Sequence, residues 1–262
     1  MKIKDVLCAL EQFAPLPLQE DYDNAGLQIG LTEAEVSGAL LCLDVTEQIV
    51  DEAIKKGCNL IVSHHPLIFH KLKRISDDNY VQRTIYKAIK NNVAIVSMHT
   101  NLDAVEHGVN YKIAEKLGLS CISPIGKTSV ICGRNGSEGI IGEFNEPLAA
   151  DDLVLLLRNM FGVECVECNQ LLRREIRKVA LCGGAGSFLL EEAVRNGADA
   201  FITGEMHYHE FFGYEQKIQI CVIGHYQSEQ FTTEVLRDII RNKWPDCRCE
   251  ITEINTNPIL YL

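Results

Sequence analysis

Short apolar runs alternate with stretches of helical periodicity along most of the chain. Runs typical of strands buried on both faces occur at residues 39–44, 60–63, 93–97, 179–182 and 218–223. Apolar positions with helical spacing occur at about 3–13, 46–56, 80–91, 149–161 and 226–241. Because strands alternate with helices and parallel strands need such crossover connections, the pattern predicts an α/β fold.

The sequence contains an internal repeat. Residues 39–70 align without a gap on residues 179–210, and the identical pairs include Gly57/Gly197. We interpret the two segments as related βαβ units that arose by duplication and diverged. The correspondence extends to the following strands, 96–103 and 222–229, which end on matching motifs of a His and a later carboxylate: His99/Asp103 and His225/Glu229.

A stretch of different character separates the two copies. Residues 121–147 are rich in glycine and contain short β-like runs at 129–132 and 139–144, without a Pro- or Ser-rich spacer. We therefore interpret this stretch as the opening of a second domain. The sequence predicts a first α/β domain of residues 1–120 plus 222–262, and a second α/β domain of residues 121–221.

Composition and charge exclude several classes of protein. The chain has 262 residues, of which 47% are hydrophobic and 23% are charged, as in a folded globular protein. With 25 Lys+Arg against 36 Asp+Glu the net charge is −11, so binding to nucleic acid or to an anionic membrane is not expected. The N-terminus is not a signal peptide and no apolar run is long enough to span a membrane, so we expect a cytoplasmic protein.

Eleven cysteines and eight histidines stand out in this composition. Cysteines inside apolar strand patterns are expected to be buried free thiols: Cys42, Cys182 and Cys221. A four-thiolate zinc site is an alternative for two further pairs, although the second has atypical spacing: Cys165 with Cys168, and Cys247 with Cys249.

Two adjacent histidines, His64 and His65, directly follow the predicted strand 60–63, and Pro66 comes next. Ligands of open α/β sheets bind beyond the carboxyl ends of the strands. Beyond a strand end, with Pro66 holding His65 extended, both rings can face one cleft. Neighbouring imidazoles suit two adjacent metal ions better than one. Two solvated loop histidines are the alternative.

Imidazole and carboxylate side chains end two other predicted strands. If a helix begins near Tyr226, His225 and Glu229 lie about one turn apart. Each motif alone is also compatible with an ion pair at a helix end. Together the motifs predict that these side chains lie at the same end of one sheet. Their nitrogen and oxygen atoms suit zinc, iron, manganese or nickel, and two such ions would acidify a shared water molecule to hydroxide. The predicted ligands are His64, His65, Asp103, His225 and Glu229.

Five motifs resemble the signatures of the Nif-three-like dinuclear metal proteins, whose members are commonly named GTP cyclohydrolase 1 type 2 homologues. In chain order they are Asp23–Gln28, Ser63–Pro66, His99–Asp103, Thr203–Glu205 and Gly224–Glu229. The resemblance implies two α/β domains with a metal cleft between them at the strand carboxyl ends, a homohexamer, and the five ligands above with Glu229 as the bridge. The chain lacks the inserted domain of longer members and resembles the short bacterial form.

Other residues near these motifs are candidates for contacts with a substrate or with the ligands: Asn24, His99, Thr100, Glu205, His207 and His209. Glu205 stands where the first copy has His65, so the second copy is expected to have lost its own metals. The glycine-rich turn 182–187 either presents backbone N–H groups to a phosphate or serves tight packing.

Two functions follow as hypotheses. The first is a metal-dependent hydrolase of a nucleotide-like small molecule, for which the resemblance implies opening of the GTP imidazole ring by attack at purine C8. The second is a non-enzymatic metal-binding scaffold or interaction protein. Five ligands for two ions leave coordination positions open, as in catalytic sites, but no other residue stands out as a general acid.

Overall fold

The computed structural model describes residues 1–260, which divide into two α/β units with separate sheets. Unit 1 contains Met1–Leu102 and Thr232–Pro258, and unit 2 contains Asp103–Phe231 and, at the end of the described chain, Ile259 and Leu260. Positions 261 and 262, which the predicted first domain includes, lie outside the described residues. None of the helices within residues 1–260 has the length and apolar character needed to cross a membrane.

Unit 1 is built on five strands: β1 (Gly26–Ile29), β2 (Ala39–Cys42), β3 (Leu60–Ser63), β4 (Ala94–Ser97) and β11 (Cys249–Ile251). Its helices are α1 (Ile3–Phe13), α2 (Glu47–Lys55), α3 (Tyr80–Lys90) and α9 (Thr232–Lys243). The strand order is β1-β4-β3-β2-β11. The neighbours β2, β3 and β4 are parallel and buried at every position, which explains their continuous apolar sequences.

Capping residues delimit the helix that connects β2 to β3. The Thr46 hydroxyl accepts a hydrogen bond from the N–H of Ile49 at the start of α2, and Gly57 follows its end with a φ of 64°. The apolar face of α2, including Ile49 and Ala53, packs with strand residues such as Ile61 in one buried cluster. Local signals and burial therefore specify this crossover together.

Polar residues lie along one edge of the unit 1 sheet, the edge formed by the ends of its strands. Because β2, β3 and β4 are parallel, their carboxyl ends share this edge. Strand β1 is antiparallel to β4, with Gly26 opposite Ser97, so the loop that precedes β1 reaches the same edge. The residues that follow these strand ends, and those of the loop before β1, are therefore brought together by topology alone.

Unit 2 is built on six strands: β5 (Ser120–Ile131), β6 (Arg134–Leu148), β7 (Glu167–Cys168), β8 (Ile176–Cys182), β9 (Ala200–Thr203) and β10 (Gln219–Val222). Its helices are α5 (Val109–Leu117), α6 (Ala150–Phe161), α7 (Leu190–Arg195) and α8 (His225–Glu229), and the boundary between the units falls within α4 (Thr100–Ala104). The strand order is β5-β6-β8-β9-β10-β7, and β8, β9 and β10 are parallel.

The unit boundaries differ from the predicted domain boundaries. Residues 103–120 and 222–231, which the sequence assigned to the first domain, belong to unit 2. The physical reason is packing: α5 lies against β6, β8, α6 and α8, all within unit 2. Helical periodicity shows that α5 has a buried face but not which sheet that face contacts.

The two βαβ copies have the same internal strand register. Ala39 lies opposite Leu60, and the aligned Val179 lies opposite Ala200. The third strands differ by one position from the sequence alignment, because Ser63 faces Ser97 whereas the aligned Thr203 faces Val222. In the ladder, His225 therefore corresponds to Thr100 rather than to His99. Common descent of the copies stays an interpretation.

Candidate metal-binding site

Three imidazoles converge at the polar edge of the unit 1 sheet. His64 and His65 follow β3, and His99 follows β4. The ring centroids are 4.9 Å apart for His64 and His65, and His99 lies 5.3 Å from the first and 5.4 Å from the second. Their potential ligand atoms all lie within 4.8 Å of one another, so the three side chains can bind one cation together.

Each of the three rings is oriented through its Nδ1 atom. The Nδ1 of His64 is 2.8 Å from the Met98 carbonyl oxygen, and a carbonyl can only accept a hydrogen bond. The Nδ1 of His65 is 2.7 Å from Oδ1 of Asp44. The neutral tautomer with its proton on Nδ1 carries the lone pair on Nε2, which is the arrangement of metal-binding histidines.

The Nδ1 of His99 is oriented in the same way, 2.7 Å from Oδ1 of Asp23. Burial raises the pKa of Asp23, but hydrogen bonds with His99 and Thr100 outweigh it, so the pKa is about 2. Burial likewise raises the pKa of Asp44, and its bonds with His65 and Thr256 hold the net pKa below the ordinary value. Both carboxylates are therefore anionic near neutral pH and favour the Nδ1-protonated tautomer of their histidines.

The predicted contact residues Asn24 and Thr100 both bind the protein's own groups. The Thr100 hydroxyl donates a hydrogen bond to the Asp23 carboxylate and accepts one from the backbone N–H of Glu20 at 3.0 Å. The Asn24 amide donates to the Ile68 carbonyl at 2.7 Å. These contacts hold the loop that carries Asp23. A direct contact of either side chain with a substrate stays a prediction.

Unit 2 presents a second group of imidazole and carboxylate side chains, at the carboxyl ends of the parallel strands of its own sheet. The prediction that the ligands lie at one end of a single sheet is therefore wrong, because His225 follows a strand of the unit 2 sheet. Nε2 of His225 is 3.1 Å from Oε2 of Glu229, and Nδ1 of His225 is 3.0 Å from Oε1 of Glu205, the residue that follows β9 by two positions. Helix α8 begins at His225, one residue before the predicted start near Tyr226, so the pair lies one turn apart. The Glu229 side chain is only 4% exposed, which calls for nearby positive charge.

Asp103 contributes to the electrostatic environment of unit 2. Its backbone carbonyl accepts a hydrogen bond from the Asn110 amide at 3.1 Å. Burial raises the pKa of the Cys182 thiol above its ordinary value, and the charges of Asp103 and Glu229 raise it further. Both carboxylates therefore lie close enough to act on the same buried sulfur.

The glycine-rich turn after β8 uses three of its backbone N–H groups for hydrogen bonds within the protein, so these groups do not bind a phosphate. The N–H groups of Gly183, Gly184 and Gly186 donate to the side-chain oxygens of Asn110, Ser228 and Thr203 at 2.9, 2.9 and 3.0 Å. Gly184 has a φ of 58°, and a Cβ atom there would lie 2.3 Å from Oε1 of Glu229. The turn therefore requires glycine because the Glu229 carboxylate passes directly over it.

A cavity of about 400 Å³ in unit 2 is lined by Glu205, His207 and His225, among others. His207 thus shares a cavity with a predicted ligand. His209 does not line it, and instead packs its ring against Tyr208 and Phe212 at centroid distances of 5.2 and 6.3 Å.

The cysteines form no part of a metal site among residues 1–260, since no candidate ligand group there contains one. The four-thiolate alternative is therefore not supported. The predicted burial of thiols in strands is confirmed for Cys42, Cys182 and Cys221.

Sequence reasoning missed the two carboxylates that orient His65 and His99. A signal was present for Asp44, because it follows the end of β2 just as the histidines follow β3 and β4. Asp23 gave a weaker signal, since β1 is an edge strand whose pairing with β4 is not visible in the sequence.

Comparisons with known proteins cover the whole described chain. The family described as Duf34/NIF3 (NGG1p interacting factor 3) has a sequence model that matches residues 1–258. A Clostridium acetobutylicum protein named GTP cyclohydrolase 1 type 2 homolog is 34% identical over 230 residues, which are 87% of this chain and 85% of that protein. A hypothetical protein of Staphylococcus aureus has a crystal structure with a TM-score of 0.92 and 29% identity, covering 100% of this chain and 99% of that one.

Proposed function

Because the chain belongs to the Duf34/NIF3 family, as its five motifs predicted, we propose that it binds two divalent metal ions and hydrolyses a nucleotide-like small molecule. The observation that carries the proposal is the set of oriented imidazoles. His64 and His65 each bind an oxygen atom through Nδ1, which is how metal-binding histidines are held.

The proposed ligands combine the two groups of side chains: His64, His65, Asp103, His225 and Glu229. Glu229 would hold metal through its buried carboxylate, which lies beside His225. Three imidazoles and two carboxylates form a donor set that suits zinc, iron, manganese or nickel. The side chains fit such ions, since His225 and Glu229 converge to 3.1 Å and Glu229 is almost fully buried.

Other residues of the chain have supporting roles in this proposal. Asp44 holds the ring of His65 through its Nδ1 atom, and Glu205 places a carboxylate oxygen 3.0 Å from Nδ1 of His225. His207 lines the same cavity as His225 and is our candidate for a substrate contact. Bound divalent ions would supply positive charge for an anionic substrate and lower the pKa of water at the site.

The specific reaction that we propose is a GTP cyclohydrolase-type ring opening at purine C8. It is supported by the name of the Clostridium acetobutylicum relative and by the open coordination positions that five ligands leave on two ions. We also propose a homohexamer, which light scattering of the purified protein would test.

A non-enzymatic metal-binding scaffold is the second candidate, and one observation favours it. None of the described residues that line the 400 Å³ cavity is Lys or Arg, whereas Glu167 and Glu205 both line it. A triphosphate entering this cavity would therefore depend on the metal ions for all of its charge compensation.

A turnover assay distinguishes the two candidates. GTP and a panel of other nucleotides are assayed with metal-loaded wild type, with Glu229→Ala, and with Glu146→Ala as a control at an exposed position of unit 2. The hydrolase proposal predicts turnover by wild type and by the control but not by Glu229→Ala. Metal-loaded wild type that turns over no substrate would favour the scaffold.

A further inference from the structure

Two cysteines of unit 2 face each other across the β7–β10 pair. Cys168 and Cys221 are directly opposed in this antiparallel ladder, and their sulfur atoms are 3.9 Å apart. Opposed residues of antiparallel strands have Cα atoms about 4.5–5.5 Å apart, and disulfides join Cα atoms about 4.4–6.8 Å apart. A disulfide between these residues therefore requires side-chain rotation but no movement of the strands.

The two thiols differ in access. Cys221 is fully buried, whereas Cys168 is partly exposed and lines a cavity of about 560 Å³. The aromatic side chains of Tyr208, Phe211 and Phe212 form part of the same lining. A reagent that enters this cavity reaches the Cys168 sulfur first, and the Cys221 sulfur lies behind it.

The two thiols also differ in acidity. The hydrogen bond with Cys221 lowers the pKa of the Cys168 thiol below its ordinary value, despite partial burial. The same contact and complete burial raise the pKa of Cys221 well above its ordinary value. Cys168 is therefore the better source of thiolate, which is the attacking species in thiol–disulfide exchange.

We propose that Cys168 and Cys221 form a reversible disulfide by exchange with a small-molecule disulfide that enters this cavity. The Cys168 thiolate attacks one sulfur of the external disulfide, forms a mixed disulfide and releases the first external thiolate. The Cys221 thiol transfers its proton to that thiolate and then attacks Cys168 Sγ. This releases the second external thiolate, which takes up from solvent the proton that Cys168 lost on ionising. Two protein thiols are oxidised by two electrons, and the external disulfide is reduced to two thiols.

This thiol pair is separate from the proposed metal ligands. Neither cysteine belongs to a candidate ligand group among residues 1–260, and β10 ends three residues before His225. Covalent mapping of the cysteines does not depend on bound metal, so its outcome is independent of the proposed function.

The test uses the full chain in buffers of oxidised and reduced glutathione, followed by alkylation and peptide mass mapping. Wild type is expected to contain the Cys168–Cys221 disulfide. Cys221→Ser is expected to trap one glutathione on Cys168, and Cys168→Ser should leave Cys221 reduced. We expect Cys168 to react about tenfold faster than the exposed Cys121 and Cys132, which serve as internal controls.

Cys165 is an alternative partner, because it precedes Cys168 by three residues and is exposed. Cys165→Ser should retain the Cys168–Cys221 disulfide. The proposal is overturned if Cys168 pairs with Cys165, if its glutathione adduct persists in wild type, or if it reacts no faster than Cys121 and Cys132. Circular dichroism of each variant verifies folding, and the wild-type map alone decides the case if a variant fails to fold.

Discussion

Replacing Gly184 by alanine tests the close approach of the turn to Glu229. The added Cβ atom would lie 2.3 Å from Oε1 of Glu229 and 3.4 Å from Cε1 of His225. An ordinary contact between carbon and oxygen is longer by about 1 Å, so the carboxylate, the turn or both must move. The φ of 58° at this position adds backbone strain for any residue other than glycine.

The expected loss of stability follows from the backbone strain and the steric overlap at position 184. Left-handed backbone strain for alanine is about 1–2 kcal/mol, and overpacking of a buried site is about 1–3 kcal/mol. Metal ligands tolerate displacements of only about 0.2 Å, and loss of an outer contact alone lowers metal affinity about 10–100-fold. A shift of about 1 Å in Glu229 is therefore expected to lower metal affinity at least about 100-fold.

The assay is a zinc titration against a competing chelator, with thermal unfolding followed by circular dichroism. Gly197→Ala is the matched control, because Gly197 has a φ of 69° and a Cβ atom there would meet nothing within 4 Å. The control should lose stability through backbone strain but keep its metal affinity. Equal metal affinities for Gly184→Ala and Gly197→Ala would show that the approach of the turn to Glu229 does not affect metal binding.

Two further predictions concern other carboxylates. Asp44→Asn should lower metal affinity about 10–100-fold in the same titration, because an amide orients His65 less strongly than a carboxylate; unchanged affinity would contradict this role. Burial raises the pKa of Asp199, but the N–H groups of Lys178 and Arg177 and the Arg174 side chain outweigh it, so its folded pKa is below the ordinary value. The ionised Asp199 side chain therefore contributes about 1–3 kcal/mol to the free energy of unfolding above about pH 4. This contribution is lost as the pH falls through the lower pKa of the folded state. In urea unfolding, Asp199→Asn should be less stable at neutral pH and show a shallower acid decline, and a wild-type-like pH profile would exclude this role.

Buried elements with strong local signals were predictable from the sequence. Strand β3, Leu60–Ser63, has the predicted bounds because a continuous apolar run follows the helix-ending Gly57. The long hairpin β5–β6 was predicted only as short runs at 129–132 and 139–144. Its turn is defined by Cys132 and Gly133, which have φ values of 52° and 74°, and most of its β5 positions are not buried, so the apolar pattern is weak.

Elements that depend on distant partners were not predictable. Strand β1 falls in a polar segment that resembles a turn, and only its pairing with β4 makes it a strand. The helix predicted at about 226–241 is two helices in the structure, α8 and α9, and the unit boundary lies between them. The Phe231 ring packs on Phe161 at a centroid distance of 5.7 Å within unit 2, whereas α9 packs on α1 within unit 1.

The candidate site shows the same division. The histidines and acids at strand ends were recognisable because a parallel sheet gathers its carboxyl ends, and the motifs lie at those positions. The partners that orient them come from distant parts of the sequence, as with Thr256, which donates to Asp44 at 2.6 Å. Tertiary contacts of this kind leave no periodic signal.

Anomalous X-ray diffraction from crystals of the metal-loaded protein, recorded at the absorption edge of the bound metal, would locate the proposed ions directly. We expect two anomalous peaks per chain, within coordination distance of Nε2 of His64 and His65 and of the carboxylates of Asp103 and Glu229. No peak at these side chains in a fully loaded protein, or peaks confined to other residues, would contradict this expectation.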